Sequence, residues 1–270
     1  MDQQTSTAAP PPSYWRETRQ PIYSALLILP FLLLYEVGLV FLRSDVINGG
    51  HAILLHLGGS IMRLLGLHAS FASVLALIIL FIVAQVRRKG SWRVRPPALV
   101  ALFLESLAYA VVLFLLLGYF VRYLPRDRTA ALPQQSAPAA CALAAGPAAA
   151  SSAATARPSR PGVNDFVLYC GAGVYEELVF RVILLGLLML VFTKLFHMEH
   201  AYAAVWSVVA GAVIFSSFHH IGGQPFAFGM FSQRVFAGIY FAAVYFNRSF
   251  GLAAASHAFY DILVGLSQYV

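Results

Sequence analysis

Apolar runs long enough to cross a lipid bilayer recur along most of this 270-residue chain, separated by short polar stretches. Each covers roughly 18 to 28 residues, and about 20 helical residues are needed to cross ~30 Å of hydrocarbon. Inside lipid every backbone N–H and C=O must be satisfied by the protein itself, so such runs fold as helices; a β-barrel would show short alternating segments. The expected fold is all-α, a polytopic transmembrane bundle of seven or eight spans. Seven runs lie near residues 21–42, 70–86, 98–124, 164–192, 201–220, 227–246 and 249–267. The stretch HAILLHLGGSIMRLLGLH (51–68) carries Arg63, three histidines and a Gly-Gly break. It reads as an interfacial helix, with an eighth span as the alternative.

Composition agrees: 60% of residues are hydrophobic and 11% charged, against roughly 45–50% apolar and 25% charged in soluble domains. The net charge of +7 does not point to nucleic acid, because the basic residues flank the apolar runs. Five of them fall in RRKGSWRVR (87–95), which marks that loop as cytoplasmic. The N-terminus is then cytoplasmic with seven spans and external with eight. Cys141 and Cys170 are the two cysteines, too few for a disulfide framework or a Cys-rich metal site. Four regions follow: a polar, Pro-rich and disordered tail (1–20), N-terminal transmembrane helices (21–124), a disordered Ala/Pro-rich loop (125–163) and a C-terminal transmembrane core (164–270). The first apolar run lacks a small-residue cleavage pattern and reads as an uncleaved span.

Within that core, VYEELVFR (174–181) places two carboxylates and an arginine in a span. Each charged group at mid-bilayer costs about 2.5–3.5 kcal/mol on insertion scales, so this helix must face a polar cavity. Residues four apart on a helix share a face while neighbours diverge, so Glu177 can pair with Arg181 while Glu176 points elsewhere. Two further spans carry FSSFH, with Phe215 and His219 four apart, and HAFYD, with His257 and Asp261 four apart. A buried Glu can take a proton from water, one His can hold that water and serve the leaving amine, and another His can donate to a developing oxyanion. Glu176, His219 and His257 would equally suit a zinc ion with water in the fourth position, although no HExxH is present. The expectation is a reaction that requires no cofactor, with Zn2+ as the alternative.

These three motifs, EELVFR, FSSFH and HAFYD, in this order on three spans, resemble the CAAX protease and bacteriocin-processing family of intramembrane endopeptidases, which includes the Ras-converting CAAX endopeptidase. The resemblance covers roughly residues 164–267. It implies Glu176 as the water-activating base, His219 as its partner, and His257 with Asp261 as the oxyanion-stabilising pair. Glu177, Arg181 and Phe215 become supporting residues. The prenyl-processing members carry Asn where this chain has Asp261, so that position departs from the pattern: an ionised carboxylate accepts and cannot donate. PFLLLYEVG (30–38), FHHIGG and SHAFYDIL also resemble a bacterial, myxosortase-like subgroup that processes C-terminal sorting segments.

The function expected is hydrolysis of a peptide bond near the end of a membrane-associated or lipidated protein, in a bacterial inner membrane, with no nucleic-acid partner. Two other classes remain open: a proton-coupled transporter, and a catalytically silent membrane scaffold or immunity protein. With the 87–95 loop inside, the depths of Glu176, His219 and Asp261 predict a cavity opening to the extracytoplasmic side. Glu36, Glu105 and Arg234 read as packing or cavity-lining groups, and the histidines of 51–68 as interfacial.

Overall fold

A computed structural model describes residues 13–42, 47–64, 72–123, 162–221 and 226–267. The 125–163 loop and Cys141 lie outside the described residues, apart from the last two positions of that loop. The architecture is helical, with no β-strand among the described residues. In chain order the helices are α1 (Tyr14–Glu17), α2 (Pro21–Leu42), α3 (Gly49–Leu64), α4 (Ala72–Arg87), α5 (Pro96–Phe120), α6 (Val163–Leu195), α7 (His200–Ile221), α8 (Phe228–Asn247) and α9 (Phe250–Ser267).

Five of these, α2, α5, α6, α7 and α9, are long and apolar enough to cross a bilayer. The other two expected spans are also helices but differ in kind. α4 has 16 residues, about 24 Å at 1.5 Å per residue, short of the hydrocarbon thickness. α8 is long enough, with 20 residues, but Ser232, Gln233 and Arg234 dilute its hydropathy. α3 is not among the candidate spans. Its expected interfacial character fails at its first turn, however, because His51 is buried and hydrogen-bonded to both Tyr35 (2.9 Å) and Ser73 (2.9 Å). Two polar partners supplied by neighbouring helices make burial of the imidazole affordable.

α9 is the central helix, packed against α2, α5, α6 and α8. Its Gly-Leu-Ala-Ala-Ala-Ser run is small and fully buried, which lets neighbouring backbones approach closely, as membrane helices do in the absence of a hydrophobic drive to associate. Gly173 of α6 sits directly on it: a Cβ there would lie 2.6 Å from the Ala254 carbonyl oxygen. α5 begins with Pro96-Pro97, where the missing N–H costs nothing. It buries Ala98, Leu102, Ser106, Ala110, Leu113 and Leu117 along one stripe.

One end of the bundle is closed by a polar clasp. Arg248 holds Glu105 through Nε and Nη2, both at 2.6 Å, and its guanidinium lies 3.9 Å from the Trp15 ring centroid. Tyr14 donates to Glu105 (2.6 Å), and buried Glu17 receives Arg95 Nε (2.8 Å) and the Tyr23 hydroxyl. Disorder expected across residues 1–20 therefore does not extend to its end: 14–17 is a helical turn, with charge partners that position it. The clasp also places the N-terminal segment beside the basic 87–95 loop, on one side of the bundle.

Candidate active site

α6 is the least regular helix. It runs as α over Val163–Gly171, as π over Ala172–Glu176 and Leu178–Leu184, as α over Leu185–Leu190 and again as π over Val191–Leu195. π winding closes i→i+5 hydrogen bonds, is rare, and clusters at functional sites. It occurs here on the segment that carries Glu176, Glu177 and Arg181. The α-helical register assumed from sequence therefore does not hold, yet the pairing derived from it does. Arg181 Nε is 3.0 Å from Glu177 Oε2, both side chains being fully buried, and Glu176 points to a different surface.

That surface is a cavity of about 100 Å³, room for several waters. Glu176, Phe215, His219, His257 and Asp261 all line it, together with Arg234. Side chains from α6, α7 and α9 thus meet at one place, with α8 supplying a fourth wall. The cavity sits between two close approaches of α9, Gly251 on Ser24 and Gly265 on Tyr169. Ser24 is next to the clasp, so the site is displaced toward the opposite end of the bundle.

Each imidazole has a defined orientation. His219 Nδ1 is 2.9 Å from the Phe215 carbonyl oxygen; a carbonyl only accepts, so Nδ1 carries the proton and Nε2 is left with its lone pair. Phe215 has a second role through its ring, which meets His219 edge-on at 5.0 Å, packs on Phe180 at 5.0 Å and lies 5.2 Å from the Arg181 guanidinium. His257 stacks on Phe241 at 4.6 Å, and its Nδ1 is 3.0 Å from Glu177 Oε1. Asp261 Oδ2 faces Nε2 of the same ring at 3.5 Å. The side chain within hydrogen-bond distance of His257 is therefore Glu177, on another helix, while Asp261 on the same helix stands farther off. The spacing of Glu177 and His257 on two different helices hid this contact.

Among the described residues no group of three His, Cys, Asp or Glu side chains is placed to hold a metal ion. Of the remaining ionisable residues in spans, Arg234 lines the cavity, Glu105 belongs to the clasp, and Glu36 receives the Tyr175 hydroxyl.

Sequence reasoning missed Asn48, whose Nδ2 donates to Glu176 Oε1 at 2.8 Å. It lies between α2 and α3 in an Asn-Gly-Gly run, a pattern that reads as a turn and nothing more. Gln233, Phe241 and Tyr260 on the cavity wall were also missed; no local pattern distinguishes them from packing residues.

Residues 161–263 match the family model described as Rce1-like, Type II CAAX prenyl endopeptidase Rce1-like. No curated protein and no solved structure matches the chain significantly.

Proposed function

Since residues 161–263 belong to the Rce1-like CAAX endopeptidases, we propose that this integral membrane protein cleaves a membrane-associated or lipidated protein near its end, by attack of a Glu-activated water. One observation carries the reading: Glu176, His219, His257 and Asp261, from three helices, line a single cavity.

Glu176 takes a proton from water as the water oxygen bonds to the scissile carbonyl carbon. His219 holds the same water through its Nε2 lone pair, since Nδ1 is committed to the Phe215 carbonyl. With its ring doubly protonated, His257 donates Nδ1–H to Glu177 and presents Nε2–H to the carbonyl oxygen as negative charge develops there. Collapse of the tetrahedral intermediate breaks the C–N bond, and the proton taken from water passes to the leaving amine. Arg181 balances Glu177 and so keeps that carboxylate available to His257. The proposed setting is a bacterial inner membrane, with the cavity opening away from the cytoplasm.

Replacing Glu176 by Gln keeps size and removes the base. Comparison of protein termini in membranes from cells carrying wild-type or Glu176→Gln protein should reveal at least one membrane-associated protein that is cut only by the former. Unchanged termini would leave a scaffold; proton flux across vesicles lost in the variant would indicate a transporter.

A further inference from the structure

The Glu176 carboxylate is held from outside the family-matched segment, by Asn48. This residue is fully buried, and its backbone N–H, side-chain nitrogen and side-chain oxygen each have a partner. Its backbone N–H donates to the Tyr35 hydroxyl (3.0 Å), its Oδ1 accepts the Gly50 N–H (2.8 Å), and its Nδ2 donates to Glu176 Oε1 (2.8 Å). The first two contacts fix the third: with Oδ1 occupied by a backbone donor, a flipped amide would set its oxygen against the Glu176 carboxylate and its NH2 against the Gly50 N–H.

The turn bearing Asn48 is itself clamped onto the π-wound part of α6. Gly50 lies on the backbone of Tyr175 and Glu176, where a Cβ would approach the Tyr175 carbonyl carbon to 2.6 Å. His51 stacks on the Tyr175 ring at 4.5 Å and 14°, and ties Tyr35 of α2 to Ser73 of α4. These contacts leave the Asn48 amide little freedom to follow the carboxylate if it moves.

We propose that Asn48 is a positioning residue for Glu176, so that the reaction site is completed by the N-terminal half of the chain. A rigid donor on Oε1 fixes the plane of the carboxylate and leaves Oε2 as the oxygen that receives the water proton. This rests on the role proposed above for Glu176. The bland alternative is that Asn48 only anchors the start of α3 through Gly50 and Tyr35.

Asn48→Asp separates the two. It keeps the side-chain length, the acceptor for Gly50 and the backbone N–H to Tyr35, so an anchoring role survives. It loses the amide donor, and places either a second charge or a shared proton against the base. The assay is release of the C-terminal fragment from a quenched farnesylated CAAX peptide by full-length protein in detergent; if wild type leaves that peptide intact, the probe is the membrane protein found by the Glu176→Gln comparison. The expected result is a kcat lower by roughly 10- to 100-fold, as for loss of a hydrogen bond to a charged group, with KM within about twofold and the melting temperature nearly unchanged. Asn48→Leu, which removes the donor to Glu176 and the acceptor for Gly50 together without adding charge, should show the same kcat loss with a lowered melting temperature. Retention of kcat in both variants, a change confined to KM, or failure of both to fold would overturn the inference in favour of anchoring. Glu176→Gln is run alongside: if it still cleaves, the catalytic reading fails; if it is inactive while Asn48→Asp is as fast as wild type, only the role of Asn48 fails.

Discussion

The His257 imidazole is bound to α6 by Glu177, whose Oε1 lies 3.0 Å from Nδ1. Its other oxygen, Oε2, is 3.0 Å from Arg181 Nε, so one buried carboxylate joins a cation on its own helix to an imidazole on another. Such a group cannot be truncated without leaving Arg181 buried and uncompensated, a situation that costs about 3–5 kcal/mol. Glu177→Ala should therefore fail to accumulate as folded protein. Glu177→Gln keeps the volume and one acceptor oxygen, enough for Arg181 or His257 but not both; it should fold with a lowered melting temperature and lose about 10- to 100-fold in kcat as His257 loses its charged partner. Thermal unfolding in detergent, read beside peptide cleavage, checks both, and full activity in Glu177→Gln would remove this residue from the proposed machinery.

Asp261 faces the other nitrogen of the same ring at 3.5 Å, longer than a good hydrogen bond. Asp261→Asn supplies the amide found at the corresponding position of the prenyl-processing enzymes and keeps a polar group against Nε2. Activity within about tenfold of wild type is expected, and a larger loss in Asp261→Ala. Should the alanine variant match wild type, Asp261 has no part in stabilising the oxyanion.

The cavity lies toward the end of the bundle opposite the Arg248–Glu105 clasp. Ser217→Cys, in a background with Cys141 and Cys170 replaced by Ser, should react with a membrane-impermeant maleimide on intact cells. Ser91→Cys, in the basic loop, should react only after permeabilisation. The reverse pattern would put the cavity mouth on the cytoplasmic side.

At the clasp, the hydrogen bond from Arg95 holds the Glu17 carboxyl below its ordinary value of 4.5, against the opposing effect of burial. A depressed folded-state value means that the docking of α1 is stabilised by ionised Glu17 above about pH 4.5 and loses that contribution as the pH falls through the folded value. The emission of Trp15, which stacks on Arg248, should change as the pH is lowered from about 6 to about 3 in protein whose other two tryptophans are replaced by Phe. Glu17→Gln should show the altered emission throughout. A signal flat with pH in the parent protein would mean that Glu17 does not hold the tail.

Much of this was legible in advance because hydrocarbon is an unforgiving solvent. The cost of charge in lipid marked the segment carrying Glu176, Glu177 and Arg181, helical spacing paired Glu177 with Arg181, and the family resemblance of the three motifs added His219, His257 and Asp261. Spacing along one helix does not disclose contacts that cross between helices. Asp261 shares a face of α9 with His257, four residues along, yet the short contact to that ring comes from Glu177, 80 residues away in the chain. π winding of α6 was invisible as well, since no residue in Ala172–Leu184 forbids the α form.

The sequence by itself determined that the chain is a membrane helical bundle and that the span carrying Glu176, Glu177 and Arg181 had to face a polar interior, because both follow from the local cost of burying polar groups in lipid. Only the tertiary structure decided which of those groups touch, that Asn48 joins them, and that the first turn of α3 is packed into the core. Those outcomes depend on how small residues such as Gly50 and Gly173 let separate helices approach, a property of surfaces meeting in space that no local pattern encodes.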